Sequence, residues 1–366
     1  MRILQLYPKA DYFTGAAIQL FALARGLRER GHDVVIATRP SETWTVKTRE
    51  AGIPHYALPM SSEVDLRSAW RLRQILTRHR IEVVHAHKGR GRTLTVIAGF
   101  FVHVPVLLLN RGVSFPIDPL NLLGYTSRRV TGITVVCESI KRDLVARGVS
   151  PDKVHVVYDA SDATRFHPGV DGSAVRRELG LGADAFLFTQ VGVRSVKGND
   201  DVIDALKLVA PRTPHVHLLI VGCRQADGLR ARAQANGLAD RVHVWGYRDD
   251  VPEIFAASEC SIDASHAGLG LTGTIRESLA VETAVIASAL EGNPEMIIDG
   301  ETGLLFPPRD VPALARVMLR MVEEPAFRVA TARAGRKSVE TRFSTQAKLD
   351  GMEGLYRRLL AERARR

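Results

Sequence analysis

The sequence predicts an α/β protein of two doubly wound halves, and three observations carry that reading. Short β-branched runs alternate with stretches of helical period along most of the 366 residues, the pattern of parallel sheets covered by helices. The alternation runs through once and starts again after a stretch near 162–182, which contains HPGVDGS and few apolar residues. The length is enough for two domains of ordinary size with full cores. The expected architecture is therefore two Rossmann-like α/β/α domains facing each other across a cleft, with ligands at the C-terminal ends of the strands.

In the first half, strands are expected at 2–7, 33–38, 82–86, 104–110, 132–136 and 153–157, with helices at 17–30, 66–80, 93–101 and 139–147. Gly31 suits the position just past the first helix, where a left-handed residue closes the last turn. The second half predicts strands at 186–191, 217–221, 242–245, 260–263 and 284–287. Its helices fall at 200–210, 228–236, 251–257, 274–281 and 311–323. A final helical run covers 343–366, with Leu349, Met352, Leu355, Tyr356 and Leu359 at roughly helical spacing. The expected domains are 1–165 and 166–342, followed by that helix.

Apolar content is 45% and charged content 25%, ordinary for a globular protein. The start, MRILQLYPKADYF, has neither a long apolar core nor a small-residue cleavage pattern, so no signal peptide is expected. The longest apolar run, 94–109, is interrupted by His103 and Pro105 and is too short for a membrane span of about 20 residues. It reads as a buried helix, a turn and a strand. Cys137, Cys223 and Cys260 lie far apart and form no CxxC, which argues against a disulfide framework or a zinc site and suits a reducing cytoplasm. The net charge of +10 is uneven: residues 1–165 hold 24 Lys+Arg against 14 Asp+Glu. A basic N-terminal surface facing an anionic partner follows. Nucleic acid is not that partner, since no aromatic–basic interleaving or known motif supports it.

The richest chemistry lies between Gly192 and Pro308. Arg194 and Lys197, in VGVRSVKG, follow a strand, and the turn Leu271-Thr272-Gly273-Thr274 runs into a helix that carries Glu277. A polyphosphate is held by side-chain cations and by free N–H groups at a helix start. A ribose diol is held by a carboxylate that accepts two hydroxyl protons. Together these residues point to a nucleotide-diphosphate ligand. Arg194 can clamp two oxygens while Lys197 adds a point charge. Gly15, between the first strand and first helix, would let backbone N–H groups approach a phosphate. There is no GxGxxG and no GxxxxGK[ST]. In His85-Ala86-His87, alternation buries His85 and leaves His87 at the strand end, facing the cleft. Arg111 follows the strand at 104–110 into the same place. Glu295, in GNPE, either braces its turn or touches ligand. No DxD occurs, so protein cations rather than Mg²⁺ are expected to stabilise a departing diphosphate. No metal or cofactor is expected.

Over nearly its whole length, and most strongly over 190–310, the chain resembles the retaining family 4 glycosyltransferases of the GT-B fold. Gly15 matches the family's glycine loop. Arg194, Lys197 and Gly198 match its R…KG pair, with a shorter spacer. The run 246–251 matches GxxxDV, 292–295 matches GGxPE and 299–307 matches DGxTGxLxxP. Asp159-Ala160-Ser161-Asp162, then Phe166 and Pro168, stand for NGVD…F.P. The last helix looks like the family's crossing back to the first domain. The resemblance implies substrate contacts at Gly15, Ala16, Tyr247, Arg248, Leu271, Thr272, Gly273, Thr274 and Glu277, and catalytic positions at Arg194, Lys197, His87 and Arg111. It makes 1–165 the acceptor-binding domain and 166–342 the nucleotide-sugar domain. Two departures stand out. Glu277 fits the second acid of the family's Glu-x7-Glu, but Leu269 occupies the first. A His common at the end of the strand at 104–110 is replaced by Arg111, which stays protonated and is a poor base, though it could bind a phosphate or the sugar.

The implied reaction is sugar transfer from a nucleotide-diphosphate sugar, first a UDP-sugar, with the anomeric configuration retained. The acceptor implied is a cell-envelope glycan or lipid-linked acceptor such as lipopolysaccharide core. Arg67, Trp70, Arg71, Arg73, Arg78 and Arg80 on one helix fit an interfacial surface at the inner face of the cytoplasmic membrane. The competing reading of that helix is a solvated Arg face with Trp70 in the core. Alternative functions are a GT-B-like sugar-nucleotide epimerase, or a degenerate protein that binds nucleotide sugar or serves as a scaffold.

Overall fold

In the computed structural model, residues 1–365 other than 13, 63, 118 and 269 are described, without the side chains of 119–121 and 123. The chain forms two compact units, Met1–Asp159 with Thr345–Arg366, and Ala160–Ser344. The expected boundary at 165/166 lies a few residues further along.

The first unit runs β1 (Arg2–Tyr7), α1 (Gly15–Glu29), β2 (Asp33–Thr38), α2 (Glu42–Glu50), β3 (His55–Ala57), α3 (Leu66–Arg78), β4 (Val83–His87), α4 (Gly89–Ala98), β5 (Val106–Arg111), α5 (Pro119–Thr126), β6 (Gly132–Val135), α6 (Glu138–Ala146) and β7 (Val154–Val156). Its strands are all parallel, in the order β3-β2-β1-β4-β5-β6-β7. Near-continuous apolar strands such as Ile3–Leu4–Leu6 and Val106–Leu109 need cover on both faces, and parallel sheets provide it. α1 begins where the Thr14 hydroxyl accepts from the Ala17 N–H, and Gly31 at φ 83° closes it.

The second unit runs α7 (Ser173–Glu178), β8 (Phe186–Val191), α8 (Asn199–Val209), β9 (Val216–Val221), α9 (Asp227–Ala235), β10 (Val242–Trp245), α10 (Val251–Ala256), β11 (Cys260–Asp263), α11 (Gly273–Ala280), β12 (Ala284–Ser288), α12 (Asn293–Met296), β13 (Leu304–Phe306), α13 (Val311–Glu323) and α14 (Pro325–Arg342). Its parallel order is β10-β9-β8-β11-β12-β13. Both sheets thus reverse direction of winding after their first strand, the doubly wound order that opens a ligand crevice beside the strand ends at the switch. The switch lies between β1 and β4 in one unit and between β8 and β11 in the other. The two-domain α/β expectation holds.

The last helix, α15 (Thr345–Ala364), belongs to the first unit. Leu349, Met352, Leu355, Tyr356 and Leu359 are buried in the same cluster as Leu20, Leu23 and Leu27 of α1. Lys348 fixes it further, pairing with Asp159 at 2.8 Å and with the Gln19 side-chain oxygen at 2.7 Å.

Several elements have no counterpart in the expected list. α14 is the largest, and its buried face is Thr331, Ala332, Gly335 and Val339. The spacing is helical, but small residues make no hydrophobic stripe. Gly335 is needed there, since a Cβ would lie 2.5 Å from Leu279 Cδ2. α2 buries only Trp44 and Thr48, and β3 and β13 have three residues each. The run at 94–109 is not buried throughout: Phe100 and Phe101, past the end of α4, are 63% and 60% exposed.

Candidate functional site

The second unit concentrates charge at its switch point. β8 ends at Val191 and β11 ends at Asp263, and the two strands are neighbours. Lys197, in the loop after β8, reaches Asp263 with its Nζ 2.6 Å from Oδ2, and both side chains are buried. Two charges leave water together only when each is well satisfied. Asp263 also accepts from the Ser265 N–H at 3.2 Å, and the Thr274 hydroxyl lies 3.5 Å from the same Oδ2. The ammonium is thus fixed beside the start of α11.

The loop holding Lys197 is braced from several sides. The Gln190 amide donates to the Lys197 carbonyl at 2.7 Å, and Asn199 donates to Gln190 Oε1 at 2.8 Å. The His266 N–H donates to the Val196 carbonyl and its Nε2–H to the Ser195 carbonyl, each at 2.9 Å. Arg309 donates to His266 Nδ1 at 3.1 Å, which fixes the ring's tautomer. Gly198 has φ 62°, and a Cβ there would sit 2.3 Å from the Ala264 carbonyl oxygen. Only glycine lets the two loops approach this closely. Arg194 is exposed, and its carbonyl accepts from the Lys197 N–H at 2.9 Å.

α11 opens at Gly273 after Thr272, with no side-chain cap and no acid in its first turn. Its leading N–H groups and the positive end of its dipole suit an anion. Leu271 and Thr272 are buried, while Gly273 and Thr274 are partly exposed. One turn on, Glu277 is half-buried, and burial pushes its carboxyl above the ordinary range while Arg276, Arg165 and Lys197 pull it back. The preceding loop is tied by Glu291, whose two oxygens accept the N–H groups of Gly268 and Gly270 at 2.8 and 2.5 Å. Leu269 lies outside the described residues.

Tyr247 is 73% exposed. Arg248 is committed elsewhere: it grips both oxygens of Glu178 at 2.9 and 3.0 Å and both of Asp250 at 2.8 and 2.6 Å. The structure therefore groups Lys197, Thr274, Gly273 and Glu277, with Arg194 on the same loop as Lys197, and gives Arg248 a clamp between α7 and α10. Asp263 and Glu291 are additions to the sequence reading. A carboxylate closing a buried strand, as in CSID, is the signal that marks Asp263.

In the first unit, Gly15 opens α1 and a Cβ there would meet only open space; Ala16 is partly buried. The Tyr7 hydroxyl lies 2.8 Å from Thr14 Oγ1, holding that turn. His85 is fully buried and His87 nearly so, with ring centroids 4.4 Å apart. Burial, then the Lys348 charge, pushes His87 down to about 3, so it is neutral throughout the physiological range. Arg111 is buried at the end of β5 and donates to the Phe115 carbonyl at 2.5 Å, while its Nε finds no hydrogen-bond partner among the described residues. Burial lowers its pKa, though not enough to discharge an arginine. Trp70 is 56% exposed with Arg73 over its ring at 4.7 Å, not in the core. Among the described residues no group of three or more His, Cys, Asp or Glu could hold a metal ion, and no helix is long and apolar enough to cross a membrane.

Two parallel doubly wound units, one with a cation and a helix start at its switch point, define a two-domain protein of the GT-B type. The family comparisons agree unit by unit. Residues 14–160 match the glycosyl transferase 4-like domain and residues 185–324 match glycosyl transferases group 1. Together these take in most of the chain, which belongs to this glycosyltransferase family. A D-inositol 3-phosphate glycosyltransferase of Thermobifida fusca is 30% identical over 224 residues, 57% of this chain and 51% of the relative. The chain thus spans about half the length of the first curated relatives it matches. The capsular polysaccharide biosynthesis glycosyltransferase CapM of Staphylococcus aureus is 22% identical over 92% of both chains. The crystal structure of Anabaena HepE in complex with UDP superposes with a TM-score of 0.87 at 19% identity, over 98% of this chain and all of that one.

Proposed function

We propose that the protein transfers a sugar from a UDP-sugar to a cell-envelope glycan or lipid-linked acceptor, with retention of anomeric configuration and without a metal ion. The observation that carries this is the buried Lys197–Asp263 pair set beside the uncapped start of α11, with Glu277 one turn further on. In this reading the second unit binds the donor. Lys197, Arg194 and the N–H groups of Gly273 and Thr274 take the diphosphate, and the Glu277 carboxylate takes the ribose diol. Negative charge grows on the departing diphosphate in the transition state, and prearranged donors in a water-poor site stabilise it most effectively. The acceptor hydroxyl attacks from the leaving-group side and passes its proton to the departing phosphate oxygen, so no enzymatic nucleophile is needed. Uridine as the base is supported by the structural likeness to HepE, solved with UDP. The envelope acceptor is supported by CapM, named for capsular polysaccharide biosynthesis. The first unit, including α15, is the acceptor side.

The test is thermal melting with UDP, GDP and ADP in turn, with and without Mg²⁺. Ligand at 100 times its Kd stabilises by about 2.7 kcal/mol. A shift with UDP that does not need Mg²⁺ is expected. No shift with any nucleotide, in folded protein, rules the reading out. Proton NMR of the product's anomeric centre checks retention.

A membrane surface on the first unit is part of the same proposal. Leu66, Trp70, Phe100 and Phe101 are exposed. Arg73 sits over Trp70 and donates to the Phe101 carbonyl, and Arg129 sits over Phe100. Exposed aromatics among arginines suit an anionic bilayer interface. Arg67→Glu with Arg71→Glu is expected to weaken binding to anionic vesicles by about 10-fold or more, at ~1 kcal/mol per basic residue near the surface. Sedimentation with vesicles containing phosphatidylglycerol reads it, and equal binding by both proteins sinks the idea.

A further inference from the structure

The loops that leave β11 and β12 at the ligand edge of the second unit are stitched together, and Glu291 makes two of the stitches. β11 and β12 are neighbours. The Ser288 hydroxyl donates to the Ser265 carbonyl at 2.5 Å, and the Gly292 N–H donates to the Gly270 carbonyl at 3.1 Å. Between these bonds the half-buried Glu291 carboxylate accepts the Gly268 N–H on one oxygen and the Gly270 N–H on the other. It is therefore set against the backbone on both sides of position 269, just before the turn into α11. Glu291 has φ 51°, a conformation that favours glycine. The family's pattern GGxPE has a glycine there, since the chain reads EGNPE over 291–295. The pattern Glu-x7-Glu has an acid at 269, where this chain has leucine. One acid is missing, and another from further along the chain is held against the same stretch of backbone.

We infer that Glu291 supplies, from the neighbouring loop, the acid that position 269 lacks, and that its carboxylate accepts hydroxyl hydrogens of the donor sugar. The chemistry selects the ligand group. A carboxylate only accepts, and it has about four lone-pair sites. The two N–H groups occupy two of them, and the side chain remains partly exposed. Its charge repels a diphosphate. The neutral polyhydroxyl parts of a nucleotide sugar are the ribose and the sugar itself. Glu277, after the turn at 271–274, is the ribose carboxylate, and Glu291 lies against the backbone before that turn. The sugar hydroxyls are what remains for it. Two N–H bonds fix where its oxygens point, and a site built on fixed acceptors rejects a sugar whose hydroxyl is missing or misplaced. A non-glycine residue kept in a left-handed conformation at the edge of a ligand crevice fits that use. The assignment rests on the second unit being the donor side.

The test is calorimetry on the full-length protein with UDP, and with UDP-glucose, UDP-galactose and UDP-N-acetylglucosamine, no acceptor being present. The sugar nucleotide that the wild type binds most tightly is carried into the variants. Glu291→Gln keeps the size of the side chain and one acceptor oxygen. It is expected to weaken that ligand about 10-fold, the scale of one hydrogen bond to a charged group, and to leave UDP within about 2-fold. Glu291→Gly is expected to do the same, which covers a poorly folded Gln variant, and its retained UDP affinity reports an intact site. Adding Leu269→Glu to Glu291→Gly returns the acid to its place in the pattern and is expected to restore most of the loss. Equal losses for UDP and the sugar nucleotide in both variants make Glu291 a brace for the loop and overturn the inference, as do unchanged affinities. A double variant no better than Glu291→Gly overturns the exchange with position 269. Absence of UDP binding from every protein, wild type included, removes the donor site itself and this inference with it.

Discussion

Lys197→Met is expected to abolish the UDP-dependent rise in melting temperature and to lower transfer by about 10²- to 10³-fold, the usual cost of removing one donor to a developing oxyanion. It is also expected to cost about 3–5 kcal/mol of stability, because it leaves Asp263 buried without its cation. These two effects must be separated, since a damaged fold would also lose binding. The double variant Lys197→Met with Asp263→Asn removes both charges. Much of the stability should return, because an uncharged pair no longer strands a carboxylate. Donor binding should not return, because the ammonium that would meet the diphosphate is still missing. Chemical denaturation measures the first quantity and calorimetry with UDP the second. If the double variant binds UDP as the wild type does, Lys197 is a structural partner of Asp263 and nothing more.

Much of this architecture is legible in the chain because the strands are buried on both faces. Runs such as FLFTQV, VHVW and CSID stand out against polar loops, and the strands expected at 186–191, 242–245 and 260–263 coincide with β8, β10 and β11. The helices that escaped are those whose packing relies on small residues or on few residues. α14 presents threonine, alanine and glycine to its neighbours, and no hydropathy pattern reports that. The same limit applies to the site. Lys197 and Glu277 are visible because a cation beside a glycine and an acid one turn into a helix have a chemical meaning in one dimension. Asp263, 66 residues after Lys197, gains its meaning only when β8 and β11 become neighbours. Tyr356 is the extreme case. At helical spacing among leucines it reads as packing, yet its hydroxyl joins His85 to Gln5. Phe100 and Phe101 mislead in the opposite direction: they prolong an apolar run but sit past the end of α4, where the backbone has already turned outward.

Glu277→Gln is expected to weaken UDP binding by about 10- to 100-fold, since hydrogen bonds to a charged group contribute about 1.5–3 kcal/mol. The pH dependence gives the sharper check. Burial raises the Glu277 carboxyl above its ordinary value, with Arg276, Arg165 and Lys197 offsetting part of the shift. A ribose diol donates two hydrogens, and the ionised carboxylate accepts both. Affinity should therefore rise as pH rises through the elevated pKa. Stability should move the other way. Between the unfolded value, about 4.3, and the raised folded value, the folded chain holds a proton that the unfolded chain has lost. The contribution of this group to stability is thus complete below the unfolded value and lost as pH climbs through the folded one. Glutamine cannot titrate, so the variant should lose both slopes together. Calorimetry with UDP and denaturation curves from pH 4.5 to 8 measure them. A wild-type affinity flat across that range, or a Gln variant that keeps the slope, would assign the ribose to another residue.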